Sequence, residues 1–118
     1  NIVIADCYNA NPTSTLAALQ SLSSMKVENK VAILGDMLEL GENEDVEHQN
    51  IVQFMYENNI NGLLVGGIFS NLKCNFPTFE KVEFILPYLK NMRYENYTIL
   101  IKGSRGIKLE KIIENQIL

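Results

Sequence analysis

Residues 31–34 read Val-Ala-Ile-Leu, four apolar residues with no polar residue between them. A strand with one face in water alternates apolar and polar residues, so an unbroken run predicts a strand that is buried on both faces. Similar runs, mostly of β-branched residues, occur at 2–5, 63–65 and 99–101. We therefore expect four strands of a parallel sheet, each with both faces covered by helices.

The spacing of these runs supports the same architecture. Their starts are separated by 29, 32 and 36 residues, which is the length of a strand and a crossover helix. Asn11 and Pro12 suit the N-cap and the first position of a helix. Two apolar stripes with helical spacing follow the first and second runs: Ala18, Leu19, Leu22 and Met25, then His48, Ile51, Val52 and Met55.

The second half of the chain is less regular. Residues 71–79 read as a loop with a short strand, and Pro87 is expected to interrupt the helical pattern at 81–92. A last helix is predicted to carry Leu109, Ile112, Ile113 and Ile117 on one side. The sequence predicts an α/β fold, a three-layer Rossmann-like domain with a mostly parallel sheet of about five strands and helices on both faces.

Length and composition exclude several classes of protein. A chain of 118 residues that is 47% hydrophobic and 20% charged is typical of one globular domain, here residues 1–118. A net charge of −4 argues against nucleic acid as a partner, and no apolar run is long enough for an integral membrane protein. Cys7 and Cys74 lack CxxC spacing, which favours unpaired thiols and a cytoplasmic location. Because the chain opens at Asn1 without Met, we expect it to be part of a longer polypeptide.

Polar and glycine residues follow the predicted strands, where ligands bind in open α/β sheets. After the first strand come Asp6, Tyr8, Asn9 and Asn11, a set suited to ribose hydroxyls, an adenine edge or an anion. Two structural alternatives stay open: Asn11 caps the helix, and Asp6 closes an Asx-turn.

The second strand is followed by Gly-Asp-Met-Leu-Glu-Leu-Gly at 35–41. Asp36 and Glu39 could orient an amine or a metal-bound water, or could belong to a solvated turn. His48 lies on an apolar stripe, where a lone histidine is more often a hydrogen-bonded core residue than a catalyst.

The last strand ends in Lys102, Ser104 and Arg105, a concentration of cations in a chain with ten basic residues. Such a pair can clamp a carboxylate or phosphate. In the alternative interpretation Ser104 is an N-cap and both cations lie on the surface. The sequence has no GxxxxGK[ST], no GxGxxG after a strand, no recognisable Ser/His/Asp order and no His/Cys metal set, so a complete catalytic apparatus is not expected.

The motifs at 6–14, 34–41 and 102–106, in this order and with His48 after the second, closely resemble the C-terminal domain of the Mur ligases of peptidoglycan synthesis. The strings are most similar to those of the members that join D-alanyl-D-alanine to UDP-N-acetylmuramoyl-tripeptide. The resemblance implies a Rossmann-like third domain of an enzyme whose N-terminal domain binds the UDP-sugar and whose central domain carries the P-loop. It also implies ATP with Mg, held mainly by the central domain, and amide formation through an acyl-phosphate.

Site residues follow from the same resemblance. It implies that Asp6, Tyr8, Asn9 and Asn11 face the nucleotide, with Asp6 on the ribose. It places the acyl-phosphate side and the incoming dipeptide against a second set of residues: Asp36, Glu39, His48, Lys102, Ser104 and Arg105. Family members often have a second acidic residue where this chain has Ala5, which leaves Asp6 as the single carboxylate there.

Three alternatives remain at this point. The domain could belong to another Mur ligase, to a folylpolyglutamate synthase, or to a stand-alone α/β binding module without enzymatic activity. Because the chain lacks a phosphate-binding loop, we expect it to fold alone but to have no ligase or ATPase activity by itself.

Overall fold

Five parallel strands form a single sheet in the structure, a computed structural model that describes residues 1–118. They are β1 (Ile2–Asp6), β2 (Lys30–Gly35), β3 (Gly62–Val65), β4 (Thr78–Phe79) and β5 (Thr98–Lys102). Their order in the sheet is β1-β5-β2-β3-β4, and every pair is parallel. This confirms the predicted parallel sheet, including the short strand expected within residues 71–79.

Five helices connect and flank the strands: α1 (Pro12–Ser24), α2 (Glu44–Glu57), α3 (Gly67–Ser70), α4 (Val82–Met92) and α5 (Glu110–Glu114). Short 3-10 turns lie at Gly41–Asn43 and Arg105–Ile107. Pro12 occupies the first turn of α1, and acidic residues occupy the first turn of α2, where they favour the positive end of the helix dipole.

Two apolar clusters lie on opposite faces of the sheet. Ala32 and Leu34 of β2 pack in a cluster with residues of α1 and α2, whereas Val31 and Ile33 pack in one with residues of α4 and α5. The alternation follows from the two-residue period of a strand. The three-layer α/β architecture is thus confirmed, and β2, β3 and β5 are buried on both faces as expected.

The expectation that β1 is buried on both faces is wrong. All five of its residues are exposed. The reason lies in the strand order, because β1 is at the edge of the sheet and pairs only with β5. Its sequence reads as a buried strand, but no helix covers it.

Two helical details also differ from the sequence prediction. Pro87 lies inside α4 and does not interrupt it. Proline cannot donate a backbone hydrogen bond to Glu83, but both residues are exposed, so water can reach the free carbonyl. The final helix is only five residues long; Leu109 and Ile112 are buried, whereas Ile113 is turned outward by the helical rotation of about 100° per residue.

The strand order decides which loops meet. Because β5 lies between β1 and β2, the loops that follow these three strands lie side by side at the carboxyl edge of the sheet. The motifs come in the order first, second, third along the chain, but in space the third lies between the other two.

Candidate functional site

The three loops enclose a cavity of about 240 Å³ at the carboxyl edge of the sheet. Five of the predicted site residues line it: Tyr8, Asn9, Glu39, Ser104 and Arg105. Ala10, Leu38 and Gly106 complete its wall. A larger depression, of about 620 Å³, lies against α2 and Asn71–Leu72, but it does not receive side chains from the ends of several strands.

Lys102 holds the first loop in place. Its side chain is buried, and its Nζ lies 2.9 Å from the carbonyl oxygen of Asn9 and 3.2 Å from Oδ2 of Asp6. Both contacts are within the chain, and Lys102 does not line the cavity. The predicted pair of ligand-binding cations is therefore divided, with Lys102 inside the domain and Arg105 at its surface.

Asp6 closes the Asx-turn that the sequence left open. Its Oδ1 accepts hydrogen bonds from the backbone N–H groups of Tyr8 and Asn9, each at 3.2 Å. Partial burial opposes ionisation, but these N–H groups and Lys102 outweigh it and hold the pKa of Asp6 below its usual value. The side chain is still 49% exposed, so an ionised carboxylate remains accessible beside the cavity.

Asn11 caps α1. Its Oδ1 accepts from the backbone N–H of Ser14 at 2.8 Å, and the hydroxyl of Ser14 accepts from the backbone N–H of Asn11 at 3.2 Å. This reciprocal arrangement satisfies two backbone donors that the helix leaves unpaired. Asn11 does not line the cavity.

Ser104 joins the second and third loops. Its hydroxyl accepts from the backbone N–H of Leu38 at 3.0 Å, and its own N–H donates to the carbonyl oxygen of Asp36 at 3.2 Å. As in the structural alternative, Ser104 occupies the N-cap position of the turn Arg105–Ile107, but its side chain makes no hydrogen bond to that turn. The same alternative placed both cations on the surface, which is wrong for Lys102 because its side chain is buried. The loops can approach because Gly35 and Gly103 face each other: a Cβ on Gly103 would lie 3.0 Å from the Cα of Gly35.

Asp36 is buried and its carboxylate is engaged. Oδ2 accepts from the backbone N–H of Ile68 at 2.9 Å, and Oδ1 from that of Phe69 at 3.0 Å, in the first turn of α3. The geometry makes Asp36 the residue that fixes α3 to the end of β2. It does not line the cavity.

His48 is fully buried, with both ring nitrogens engaged. Nε2 accepts from the backbone N–H of Met37 at 2.9 Å, and Nδ1 lies 2.7 Å from the carbonyl oxygen of Glu44. A proton on Nδ1 and a lone pair on Nε2 satisfy both contacts. The ring packs edge-on against Phe69 at 4.6 Å between centroids. The structure thus places His48 in the core, where it fixes the loop that carries Glu39.

Four polar or aromatic side chains that line the cavity are exposed: those of Tyr8, Asn9, Glu39 and Arg105. The guanidinium of Arg105 lies 5.7 Å from the centre of the Tyr8 ring, within range of a cation–π contact. Glu39 has a φ of 66°, a left-handed conformation that is uncommon outside glycine and asparagine. The cavity therefore offers an aromatic face, a cation, an amide and a carboxylate.

Sequence reasoning missed Leu38. Its side chain is 40% exposed and lines the cavity. The signal in the sequence was an apolar pair, Met37 and Leu38, between Asp36 and Glu39 in a loop. Such a pair indicates an apolar contact with a ligand only when the loop is known to face a cavity.

The residues do not fit a metal centre within this domain. No group of three or more His, Cys, Asp or Glu side chains is arranged to hold an ion. A Mg ion needs several oxygen ligands, and the carboxylate of Asp36 is already engaged with backbone N–H groups.

None of the helices has the length and apolar content needed to span a bilayer.

Comparison with known proteins identifies the family. The family described as Mur ligase, glutamate ligase domain matches residues 1–105. The chain is similar to the UDP-N-acetylmuramoyl-tripeptide--D-alanyl-D-alanine ligases of Rickettsia prowazekii and Buchnera aphidicola, with 34% and 36% identity over 95% and 98% of its length. It spans only 26% and 27% of those two relatives, about a quarter of their length.

Solved structures agree. MurF from Acinetobacter baumannii superposes with a TM-score of 0.79 at 28% identity, over 95% of this chain and 26% of that one. MurF ligase from Thermotoga maritima in complex with ADP superposes with a TM-score of 0.77 at 23% identity, over 95% and 27%, which shows the shared fold. The chain therefore belongs to the Mur ligase family, in which it corresponds to the C-terminal, glutamate ligase domain.

Proposed function

We propose that this chain is the C-terminal domain of an ATP-dependent ligase that joins D-alanyl-D-alanine to UDP-N-acetylmuramoyl-tripeptide in peptidoglycan synthesis. The names of its relatives support this assignment. The observation that carries it is the cavity at the carboxyl edge of the sheet, where all three motifs contribute side chains. Other domains of the same polypeptide supply the phosphate-binding loop, the Mg site and the UDP-sugar site.

The first loop forms the nucleotide side of the proposed site. The half-exposed carboxylate of Asp6 can accept a hydrogen bond from a ribose hydroxyl. The exposed ring of Tyr8 and the amide of Asn9 can contact a purine base. Asn11 contributes indirectly, because its cap fixes the start of α1.

The third loop and Glu39 form the other side. Arg105 is the accessible cation and can bind a carboxylate or phosphate with its planar guanidinium, while Glu39 can accept from an amine. Asp36, His48, Lys102 and Ser104 act as positioning residues, because their polar atoms are engaged within the domain.

The two steps of the proposed ligase reaction match the nucleotide side and the opposite side of the cavity. The terminal carboxylate of the tripeptide attacks the γ-phosphorus of ATP and forms an acyl-phosphate with release of ADP. The amine of D-alanyl-D-alanine then attacks the acyl carbon, and phosphate leaves as the amide forms. Closure of this domain over the central domain would bring the cavity to the reacting groups. Two unpaired thiols and nucleotide substrates are consistent with a cytoplasmic location.

Asn9→Ala and Arg105→Ala in the parent ligase test the proposal by their crossed effects. Loss of a hydrogen bond between neutral groups, as for Asn9 and a base, costs about 0.5–1.5 kcal/mol, or roughly 2- to 12-fold. Loss of one that involves a charged group, as for Arg105, costs about 1.5–3 kcal/mol, or roughly 10- to 150-fold. Asn9→Ala should raise the KM for ATP and spare D-alanyl-D-alanine. Arg105→Ala should weaken use of the dipeptide or the UDP-tripeptide and spare ATP.

Matched controls come from the same chain. Asn50 is an exposed asparagine on α2, and Arg93 is the only other arginine and precedes β5 at the opposite edge of the sheet. Asn50→Ala and Arg93→Ala should leave all KM values unchanged. If Asn9→Ala and Arg105→Ala are equally silent, the cavity is not the substrate site. Equal damage to every substrate would instead indicate a role in domain closure.

A further inference from the structure

A second cavity lies at the amino edge of the sheet, opposite to the candidate site. Its volume is about 350 Å³, which falls within the range of about 300–1,000 Å³ for small-molecule sites. Asn61, Pro77 and Tyr97 line it and directly precede β3, β4 and β5. Because the strands are parallel, their amino ends meet at one edge of the sheet. Neither Asn1 nor any residue of β1 lines this amino-edge cavity, so its walls do not depend on the exposed edge strand.

Aromatic rings supply much of the wall of the amino-edge cavity. Three of the five tyrosines in the chain line it, together with Phe76. Tyr88 belongs to α4, whereas Tyr94 and Tyr97 lie in the loop between α4 and β5. No charged residue lines the cavity. A ligand there would therefore meet ring faces and edges, and no ion-pair partner.

The tyrosine rings are held in place by aromatic contacts. The ring centroids of Tyr94 and Tyr97 are 4.6 Å apart, and their planes are tilted by 55°. Tyr88 packs edge-on against Phe79 of β4, at 5.1 Å between centroids. Rings that are already positioned lose little freedom when a ligand enters, which lowers the cost of binding.

The electrostatics of the amino-edge cavity favour a cation. The face of an aromatic ring is the negative part of its quadrupole and attracts positive charge. The helix α4 ends at Met92, which lines the cavity, so the negative end of the helix dipole lies there as well. Lys90 and Arg93 are exposed and do not line the cavity, so no protein cation occupies the position beside the rings.

The kind of cation follows from the neutral walls. Burial, with the phenols of Tyr88 and Tyr97 nearby, raises the pKa of Tyr94 to about 12, so this hydroxyl stays protonated at neutral pH. A metal ion such as Mg²⁺ or Ca²⁺ needs several oxygen ligands, and no carboxylate lines the cavity. An alkylated ammonium group spreads its charge over apolar methyl surface, which suits aromatic walls.

We propose that the amino-edge cavity binds a small organic cation of the alkylated ammonium class against the rings of Tyr88, Tyr94 and Tyr97. The inference does not rest on the proposed function, because this cavity shares no lining residue with the candidate site. A neutral molecule of the same shape is the weaker candidate, since it would gain packing but no attraction to the ring faces. A cationic side chain from elsewhere in the parent ligase would use the same chemistry, and the experiment separates the two sources.

Choline is the probe, and 3,3-dimethylbutan-1-ol, in which carbon replaces the charged nitrogen, is its neutral counterpart. In NMR titrations with the 118-residue chain and with the parent ligase, the choline methyl protons should move upfield and show nuclear Overhauser contacts with tyrosine ring protons. The neutral alcohol should bind at least about 5-fold more weakly. Sodium chloride at equal ionic strength controls for salt. Equal affinity for the two molecules, or no binding of choline, would overturn the inference.

Variants of Tyr94 separate the ring from the hydroxyl. Tyr94→Leu removes the ring and should raise the Kd for choline by roughly 5- to 30-fold, whereas Tyr94→Phe keeps the ring and should change it by less than about 2-fold. Phe84→Leu is the matched control, because Phe84 is an exposed aromatic residue of α4 that does not line the cavity. It should leave the Kd unchanged. If Tyr94→Phe weakens binding as much as Tyr94→Leu, the ring face is not the recognition element and the inference is wrong.

Two further measurements keep the outcomes distinct. Urea unfolding shows whether each variant is folded, and Tyr97→Leu replaces Tyr94→Leu, with the same expected loss, if the latter is not. Binding of choline to the 118-residue chain but not to the parent ligase would show that another part of the ligase fills the cavity. In that case a free cation is not the ligand, and the inference is wrong.

Discussion

β1 and β5 are neighbours in the sheet with opposite surroundings. They pair residue by residue, from Ile2 with Thr98 to Asp6 with Lys102, and both are apolar runs that end in a charge. Every residue of β5 is buried and every residue of β1 is exposed. β5 has a strand on each side and helices over both faces, whereas β1 has one neighbour. An apolar sequence therefore indicates that a segment forms a strand of the sheet. How deeply the side chains of that strand are buried depends on its position in the strand order.

The two charged residues at the ends of these strands differ in exposure in the same way. The side chain of Lys102 is 7% exposed and that of its partner Asp6 is 49% exposed. The cation lies inside the domain, where it satisfies a backbone carbonyl of the first loop. The carboxylate remains at the surface, beside the cavity.

Truncation of matched isoleucines should give the largest difference between the two strands. Ile101→Ala in β5 removes a fully buried side chain and should lower the free energy of unfolding by about 2–5 kcal/mol. Ile4→Ala in β1 should cost less than about 1 kcal/mol, because that side chain is 42% exposed. Urea unfolding of the 118-residue chain measures both. Equal losses would show that β1 is covered in solution.

The reactivity of the Cys7 thiol shows whether the chain becomes buried directly after the exposed strand β1. Cys7 directly follows the strand, and its side chain is buried in the cluster on the α4 and α5 face. Burial, with the nearby carboxylates of Glu110 and Asp6, raises the pKa of Cys7 from 9.0 to about 11. The thiolate fraction at a given pH falls about 100-fold, so Cys7 should react with a disulfide reagent at pH 8 much more slowly than the half-buried Cys74.

A Cys74→Ala variant isolates the reaction of Cys7. Two thiols should titrate in the unfolded, unreduced wild-type chain, because both cysteines are free in the structure. Rapid labelling of folded Cys74→Ala would contradict burial of Cys7. A count of zero in the unfolded chain would reveal a disulfide and contradict the unpaired state.

The two ion pairs give the smallest expected difference. Lys102→Met leaves the carbonyl of Asn9 without its buried donor, and we expect it to lower the free energy of unfolding by about 1–2 kcal/mol. This is at the lower end of the range for a charged hydrogen bond, because the partner Asp6 is half exposed. Lys111→Met breaks a pair with Glu83 of similar length at the surface and should leave the unfolding midpoint unchanged. If Lys111→Met costs as much as Lys102→Met, the burial of Lys102 has no energetic consequence.

Acid should reduce the cost of Lys102→Met. The folded-state pKa of Asp6 lies below its ordinary value of 3.8, so the folded protein binds this proton less readily than the unfolded chain does. The stabilisation is complete above that ordinary value and is lost as the pH falls through the lower, folded pKa. The difference between wild type and Lys102→Met should therefore shrink below pH 3.8, as measured by urea unfolding across this range.

Local sequence patterns predicted much of this protein. Unbroken apolar runs and their spacing are local properties of the chain, and they gave the parallel sheet, the crossover helices and the side of the sheet at which the motifs meet. The cap at Asn11 and the stripe that contains His48 also follow from neighbours three or four residues away.

Tertiary structure decided the rest, because burial and hydrogen bonding depend on residues far apart in the chain. The insertion of β5 between β1 and β2 left β1 exposed and placed the third motif between the other two. Lys102 and Arg105 are three residues apart, yet the first is buried under the loop of Asn9 and the second lies over Tyr8 at the cavity. The spacing of residues along the chain identifies which side chains reach the carboxyl edge of the sheet, but only the packing of three separate loops determines which of them remain free to bind a ligand.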